Sequence, residues 1–420
     1  MVSLVPGMVW FIHNGGDFDC IRVSLPLQVY HRPMQGSRIS PDRSADRHTL
    51  ALALAQVRTR TLAMIEAWQR SLSGLQVPQT PTLNPPLWEW GHVAWFQEWW
   101  TVRHPQPRLG TRGHPDGRHG PSILPHADGL YNSSTVAHER RWTLPLPDLH
   151  GTRDYMAHVL ALSLARLADI GDDHDDALYF WRLALFHEAM HHEAWVIMAQ
   201  TLGVEMPDHV AGRPVAPPPD SINPALQIEV PRGPVRLGCE GPGFAFDNEQ
   251  VACSVELSAF EIDARPISWR RYLDFIHQTG YRAPAHLRTN GTQWWMRRFS
   301  QWLPLPLDAP ATHLSAHDAE AWCAWAGRQL PSEAQWCAAV AMPDFEWGQV
   351  WEWTRTPFEP FAGFETHPYE DYSVPWWGTH RVLKGASWAT PDCMVDSRFR
   401  NFYLPHRHDM LAGFRSVNLG

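Results

Sequence analysis

Apolar residues recur at steps of three and four along four stretches of the first half of the chain, the period of a helix with one buried face. The stretches cover residues 44–73, 87–102, 152–170 and 174–202. Gly203 follows the last stretch as a helix stop, and Gly171 with the two aspartates after it ends the third helix and caps the fourth. Four helices with one long crossover after the second predict an antiparallel bundle.

This helical pattern fades after residue 211, where a proline-rich connector begins. Beyond it short strand-like runs dominate, with short helices predicted at 268–279 and 315–327. A chain of 420 residues exceeds what one core usually holds. We predict an N-terminal extension over 1–42, a helical bundle over 43–210, a linker over 211–224 and a second domain over 225–420. Disorder of the extension and a true start at Met34 are both open.

Composition excludes several classes of protein. The formal net charge is −9 and charged residues make up 19% of the chain. Nothing in it resembles the basic stripe of a nucleic-acid binder, a polybasic membrane-binding run or a membrane span. The six cysteines contain no Cys-x-x-Cys pair, which favours reduced thiols and a cytoplasmic protein. The 23 tryptophans favour aromatic-lined pockets and small-molecule partners, while the oligomeric state is open.

The candidate chemistry lies in the fourth predicted helix. His187 and His191 are four residues apart on its core-facing stripe, a spacing that presents two imidazoles to a metal or leaves two core histidines. His92, among aromatic residues of the second helix, supplies a third imidazole across the bundle. His192 points about 100° away from His191 and is not expected to be a ligand. Glu193 is either an imidazole-orienting partner or a solvated helix residue.

Motifs spread over residues 45–420 carry a family resemblance. The bundle motifs are Gly-His-x-Ala-Trp-Phe-x-Glu around His92 and His-Glu-x-x-His-x-Glu from His187. The second domain shows Phe-Asp-Asn-Glu at 246–249, Leu-Pro-Ser-Glu-Ala-Gln-Trp at 330–336 and Gly-Phe-Arg at 413–415. The chain resembles the ergothioneine sulfoxide synthases, a DinB-like four-helix bundle fused to a formylglycine-generating-enzyme (sulfatase-modifying factor) domain. The resemblance implies an α+β fold with a C-type-lectin-like second domain.

It also implies an active site. In that family three histidines hold non-haem Fe(II), dioxygen is the co-substrate, and a chalcogen atom is joined to C2 of the hercynine imidazole. By motif the iron ligands are His92, His187 and His191. Asn401 and Phe402 fall where the family recognises the trimethylammonium group of hercynine, since an aromatic face and an amide oxygen suit a cation without N–H donors.

Two tyrosines complete the implied site. Tyr369 and Tyr372 match a two-tyrosine stretch from which a phenol gives a proton or an electron near the iron, although either one could be a packing residue. Trp376 and Trp377 are expected to fill space rather than line the pocket.

Three departures concern the chalcogen donor. Met190 stands where the synthases that use γ-glutamylcysteine have Gln, Tyr403 stands where they have Asp, and their arginine-rich loop is replaced by residues 132–147. This loop resembles that of the selenoneine synthases, sister enzymes that take a selenosugar. The resemblance makes Ser133, His138 and Arg140 candidates for the sugar pocket, with loop structure as the alternative.

Three other functions are left open. The first is the sulfur reaction with cysteine or γ-glutamylcysteine. The second is a copper oxidase of the formylglycine-generating type, which is disfavoured because Cys393 has no cysteine partner near it in the sequence. The third is a zinc-binding DinB-like protein or a carbohydrate-binding module with an inert metal site.

Overall fold

The computed structural model describes residues 34–114, 117–171, 173–212 and 226–418 in full, and the backbone of two short strands before them, 8–12 and 18–22. Most of the predicted extension (1–42) and of the predicted linker (211–224), together with Asp172, therefore lies outside the described residues. The domain bounds stay predictions.

Long amphipathic helices form the first half of the chain. The described helices of this half are α1 Arg47–Ser71, α2 Pro86–Gln97, α3 Ala127–Tyr131, α4 Leu149–Ala168, α5 Asp175–Leu202 and α6 Asp208–Ala211, and α2 continues as a π-helical segment, Glu98–Arg103. Helix α1 packs on α4 and α5, and α2 packs on the same two helices. Asp46 and Asp148 begin α1 and α4, because their carboxylates accept from Thr49 N and Gly151 N, which would otherwise lack partners.

The start of α5 differs from the predicted cap. The N-cap is His174, whose side chain caps nothing, and the carboxylate of Asp173 accepts instead from the backbone N–H of Arg47 at the start of α1. The predicted stop is present, since Gly203 takes a left-handed conformation (φ +77°) that glycine adopts without a steric cost.

Short strands and helices form the second half. Its described helices are α7 Trp269–Thr279, α8 Ala316–Trp325 and α9 Glu333–Ala339. The strands in the described parts of the chain are β1 Met8–Ile12, β2 Phe18–Arg22, β3 Met34–Gln35, β4 Gln227–Val230, β5 Gly233–Leu237, β6 Cys253–Leu257, β7 Phe260–Asp263, β8 Leu287–Thr289, β9 Trp294–Arg298, β10 Gln301–Pro304, β11 Glu346–Trp347, β12 Trp351–Pro357, β13 Arg381–Gly385, β14 Asn401–Tyr403, β15 Ala412–Gly413 and β16 Val417–Asn418. A four-stranded sheet has the order β14-β13-β12-β15, and two three-stranded sheets have the orders β16-β7-β4 and β10-β9-β8. Helical and sheet parts thus give the α+β class expected from the sequence.

Residues 34–44, before the bundle, lie against the second half. Strand β3 pairs with β11. The buried guanidinium of Arg43 pairs with Glu249 at 2.6 Å and with Asp396 at 2.8 Å. A buried arginine held by two carboxylates is satisfied only when both partners are in place, so this segment is fixed by the second half.

One hydrophobic core runs through both halves, from the interior of the bundle to Trp351 and Phe414 in the second half. The cysteine side chains that the structure describes are free thiols. Within the described ranges no helix is both long and apolar enough to cross a bilayer.

Candidate metal centre

Two helices bring three histidine side chains together inside the bundle. His92 lies in α2, and His187 and His191 lie one turn apart on α5. One ligand nitrogen from each residue lies within 4.8 Å of those of the other two. Across the described parts of the chain, no other group of three His, Cys, Asp or Glu side chains is arranged to hold a metal ion. The structure therefore places together the three residues that the sequence offered as ligands.

Hydrogen bonds fix the tautomers of two of these imidazoles. Nδ1 of His92 lies 2.8 Å from the backbone oxygen of Tyr131, and Nδ1 of His191 lies 2.5 Å from Oε2 of Glu89. Because carbonyl and carboxylate oxygens only accept, both Nδ1 atoms carry a proton, and Nε2 is the atom that each ring can offer to a metal ion. Acceptors of this kind orient a metal-binding ring and raise its basicity.

Burial favours the neutral form of His92 and His187, which is the form that binds a metal cation. Desolvation, followed by the charge of His191, lowers the pKa of His92 to about 3 and drives the pKa of His187 well below its ordinary value. Burial alone would raise the pKa of Glu89, but the charge and hydrogen bond of His191 hold it at about 2. Protons therefore compete only weakly with a metal ion for His92 and His187. The third ring, that of His191, is hydrogen-bonded to the carboxylate of Glu89.

His187 lacks such an acceptor. Its ring stacks on Phe96 with centroids 3.6 Å apart and planes 6° apart, and its buried Nδ1 meets no hydrogen-bond partner in the described parts of the chain. Buried polar atoms without partners are rare. Two of the three imidazoles are neutral by burial, and the described residues supply no fourth ligand to the group. Such a set fits a divalent first-row metal that keeps open coordination positions.

The carboxylate behind the centre is Glu89, and both sequence interpretations of Glu193 are wrong. The carboxylate of Glu193 is buried and is not hydrogen-bonded to a ligand imidazole. It accepts instead from Trp351 Nε1 at 2.8 Å, Thr390 Oγ1 at 2.9 Å and Ser387 Oγ at 2.5 Å. It ties α5 to the second half. The available signal for Glu89 was its position one helical turn before His92.

His192 lies on another face of α5, as its position in the helix requires. Its ring is fully buried and Nε2 lies 2.8 Å from Oγ1 of Thr61 on α1. This histidine therefore holds two helices together and is not part of the centre.

Both candidate tyrosines lie beside the centre. The ring of Tyr369 is 4.9 Å from that of Phe96 and 6.3 Å from that of His187. The hydroxyl of Tyr372 donates at 3.8 Å to Sδ of Met190, the residue that precedes His191 in the chain. Burial, and then nearby carboxylates, raises the pKa of both phenols, so both are protonated at neutral pH.

The residues offered for hercynine continue this aromatic surface. Phe402 on β14 is 5.9 Å from Tyr372 and stacks on Phe358 at 4.0 Å. Asn401 Oδ1 accepts from Phe402 N at 2.9 Å. Tyr403, the third residue of β14, is half-buried with the guanidinium of Arg407 5.0 Å from its ring. Trp376 is exposed, and Trp377 is half-buried against Phe358 at 4.3 Å.

The predicted sugar-pocket residues lie between α3 and α4. Ser133 is half-buried and Arg140 is exposed. Nε2 of His138 donates to the backbone oxygen of Leu83 at 2.9 Å, because a carbonyl oxygen only accepts. The loop reaches the tyrosine segment through Ser134, which the sequence did not single out and whose hydroxyl donates to Asp371. The sugar-pocket assignment stays a prediction.

A protein-family model matches part of the second half of the chain. Residues 214–346 match the model described as the sulfatase-modifying factor enzyme 1-like domain. Among solved structures, PvdO from Pseudomonas aeruginosa aligns with 46% of this chain and 93% of its own, at 17% identity and a TM-score of 0.35, and we conclude nothing from that likeness.

Whole-chain relatives then narrow the comparison. The chain is similar to the hercynine oxygenase of Mycolicibacterium smegmatis, with 29% identity over 88% of this chain and 98% of the relative. It is also 29% identical to the hercynine oxygenase of Mycobacterium tuberculosis, over 87% of this chain and 97% of the relative. The similarity therefore spans both halves and includes α2 and α5, the helices that carry the three histidines.

Proposed function

We propose that this protein is a non-haem iron enzyme that uses dioxygen to join a chalcogen atom to C2 of the hercynine imidazole. The observation that carries the proposal is the convergence of His92, His187 and His191 in a chain that aligns with hercynine oxygenases over 88% of its length. An iron ion held by these imidazoles would supply the oxidation that C2 needs, because this carbon does not react with nucleophiles by itself.

The residues around the centre suit the remaining tasks. Tyr369 and Tyr372 keep their protons at neutral pH and lie on the side of His187 and Met190, so either phenol is placed to give a proton to a reacting atom. Phe402 and Asn401 offer an aromatic face and an amide for the trimethylammonium group. All four side chains are half-buried.

For the donor we propose a selenosugar. Peptide carboxylates call for free guanidinium groups, which pair with them in a bidentate way. In the 132–147 loop Arg141 is already engaged, since it donates to Asn84 at 2.9 Å and its guanidinium lies 3.9 Å from the ring centroid of Trp88. The loop therefore offers one exposed guanidinium, that of Arg140, rather than a cluster of arginines. A sugar needs hydroxyl partners instead, and Ser133 and His138 supply candidates. With these partners the product is selenoneine, formed in the cytoplasm.

The sulfur reaction, with cysteine or γ-glutamylcysteine, is the second candidate. The name of the two relatives specifies hercynine and an oxygenase but no donor. At Met190 and Tyr403 this chain departs from the sequence pattern of the synthases that use γ-glutamylcysteine. An experiment with competing donors is therefore needed to identify the donor.

A competition assay tests both proposals. Protein purified without oxygen is loaded with Fe(II), then given hercynine, air and equal concentrations of a selenosugar, cysteine and γ-glutamylcysteine, and the products are weighed by mass spectrometry. We expect the carbon–selenium adduct to dominate. A dominant thiol adduct would overturn the selenium proposal, and bound zinc with no oxygen uptake would overturn the enzymatic one.

A matched pair of variants accompanies the assay. His187→Gln removes a ligand and should abolish product, whereas His150→Gln changes an exposed histidine of α4 and should not.

A further inference from the structure

Asn84 lies between the candidate metal centre and the 132–147 loop. Its Nδ2 donates to Oε1 of Glu89 at 2.5 Å, and its Oδ1 accepts from Nη1 of Arg141 at 2.9 Å. The other carboxylate oxygen of Glu89, Oε2, is the one that holds His191. A continuous chain of hydrogen bonds therefore runs from the loop to one of the three candidate ligands.

The two neighbours of Asn84 allow only one orientation of its amide. A guanidinium only donates, so the amide oxygen has to face Arg141. An ionised carboxylate only accepts, so the amide nitrogen has to face Glu89. Arg141 thereby directs the N–H groups of Asn84 at the carboxylate.

The backbone before α2 restricts Asn84 further. Pro85 is the N-cap of α2 and Pro86 is its first residue. A proline fixes its own φ and keeps the residue before it extended. Since Glu89 lies one turn into the helix, little backbone freedom remains between the amide and the carboxylate. Asn84 is therefore a rigid support for Glu89.

Glu89 depends on this support because it is buried. Its Oε2 accepts from His191 and from Trp195 Nε1, whereas Asn84 is the partner that the described residues supply to Oε1. A buried oxygen that loses its donor is costly. Without Asn84 the carboxylate would turn toward another donor, and the bond that orients His191 would weaken.

The loop reaches the centre at a second point. The guanidinium of Arg141 lies 3.9 Å from the ring centroid of Trp88, and that ring stacks on His92 with centroids 4.9 Å apart. One arginine thus supports groups behind two of the three candidate ligands.

We propose that Asn84 and Arg141 are positioning residues of the three-histidine centre, which orient the carboxylate behind His191 and link the loop to metal binding. The inference rests on the proposed function only for the presence of a metal ion at the centre. The link is reciprocal, because a loop that tightens the metal site is itself held more firmly when the metal is bound.

The metal affinity of variants tests the positioning role. Asn84→Ala removes both hydrogen bonds, and we expect the Fe(II) affinity, titrated under nitrogen, to fall about tenfold, the low end for groups that support a ligand. Arg141→Gln removes the cation and should give a smaller loss, whereas Arg141→Lys still donates to Asn84 and should keep most of the affinity. Unchanged affinity of Asn84→Ala, or equal affinities of the two Arg141 variants, would overturn the inference.

Gln79→Ala is the matched control. Gln79 is exposed and donates to the backbone oxygen of Glu139 at 3.2 Å, so it joins the same two segments without touching the carboxylate. We expect its loss to leave the metal affinity unchanged. A loss as large as that of Asn84→Ala would mean that any contact between the segments supports the metal, which would refute a specific role of Asn84.

A double-mutant cycle asks whether Asn84 acts through Glu89. In a Glu89→Gln background the group that Asn84 orients has lost its charge, so Asn84→Ala should lower the Fe(II) affinity clearly less than it does in the wild type. Additive losses would show that Asn84 does not work through this carboxylate. Thermal unfolding of the metal-free proteins separates a general loss of stability from the loss of affinity.

Hydrogen exchange measures the link to the loop. With saturating Fe(II) under nitrogen, we expect exchange in residues 138–142 to slow in the wild type and not in Asn84→Ala. Equal slowing in both proteins would refute a link through Asn84.

Turnover of hercynine by the Fe(II)-loaded wild type separates the two proposals. Adduct formation together with unchanged affinity of the variants would leave the proposed function standing and refute the positioning role. Weakened affinity of the variants without adduct formation by the wild type would do the reverse, and a wild-type chain that binds no Fe(II) would refute both.

Discussion

At the scale of single residues, the hydrogen-bond partner of each buried carboxylate decides its role. Glu89 and Glu193 are both buried glutamates close to ligand histidines, on α2 and α5. Glu89 accepts from the ring of His191, whereas Glu193 accepts from Trp351 and two hydroxyls of the second half. The same side chain therefore orients a histidine of the candidate metal centre in one place and holds the two halves together in the other.

This contrast predicts opposite effects of one substitution. Glu89→Gln weakens the orienting bond to His191, and we expect Fe(II) affinity to fall about 10–100-fold. Glu193→Gln should leave that affinity nearly unchanged and lower the free energy of unfolding instead. Titration with Fe(II) under nitrogen and urea unfolding of both variants measure the two quantities. Equal metal affinity of Glu89→Gln and the wild type would show that the carboxylate does not tune the ligand.

Asp247 gives a pH-dependent prediction. Burial raises its pKa to about 6, although Ser373 Oγ and Asn248 N donate to its carboxylate. A carboxyl whose folded pKa lies above its unfolded value destabilises the protein fully above the folded pKa, and this cost disappears as pH falls toward the unfolded value. Asp247→Asn should therefore stabilise by about 1–3 kcal/mol at pH 8 and by almost nothing near pH 4.

Urea unfolding of both proteins between pH 4 and pH 8 checks this prediction. A stability difference that stays constant across the range would mean that Asp247 keeps an ordinary pKa in the folded protein.

At the scale of elements, α2 is shaped to receive α3. Gly91, next to His92, has no side chain because a Cβ there would lie 2.2 Å from the ring of the fully buried Tyr131. The backbone oxygen of Tyr131 is the acceptor that orients His92. Close approach of the two helices thus serves the metal centre as well as packing.

Gly91→Ala should therefore disturb both functions. The ring of Tyr131 has to move, which costs about 1–3 kcal/mol of stability, and the shift of its carbonyl should weaken metal binding. Gly129→Ala in α3 is the matched control, because nothing lies within 4 Å of a Cβ at that position. Thermal unfolding and Fe(II) titration of the pair measure the effects, and similar values for the two variants would contradict the packing argument.

At the scale of the whole molecule, the two halves share one hydrophobic core and several polar contacts. Glu193 on α5 binds the second half, and Arg43, before the bundle, pairs with Glu249 and Asp396. The tyrosine segment of the second half lies against the histidines of the first. The candidate site is therefore complete only when both halves are folded and in contact.

This sharing predicts a single cooperative unfolding transition. Far-ultraviolet circular dichroism reports mainly the helices and tryptophan fluorescence reports both halves, so the two curves should coincide in urea, as expected of a two-state unit. Two separated transitions would show that each half is stable alone and that the shared core contributes little.

The sequence by itself determined the long helices and the pairing of His187 with His191. A helical period places these two residues on one face whatever surrounds them, and the stop at Gly203 acts through neighbouring backbone. These are local properties, so residue order is enough to predict them.

Only the tertiary structure decided which carboxylate supports the candidate centre and where Glu193 points. Glu89 and His191 are 102 positions apart, and Glu193 and Ser387 are 194 apart. Such pairs depend on how helices and loops pack, and no local pattern encodes a contact between distant segments. The physical reason is that burial and charge act through space, whereas periodicity acts along the chain.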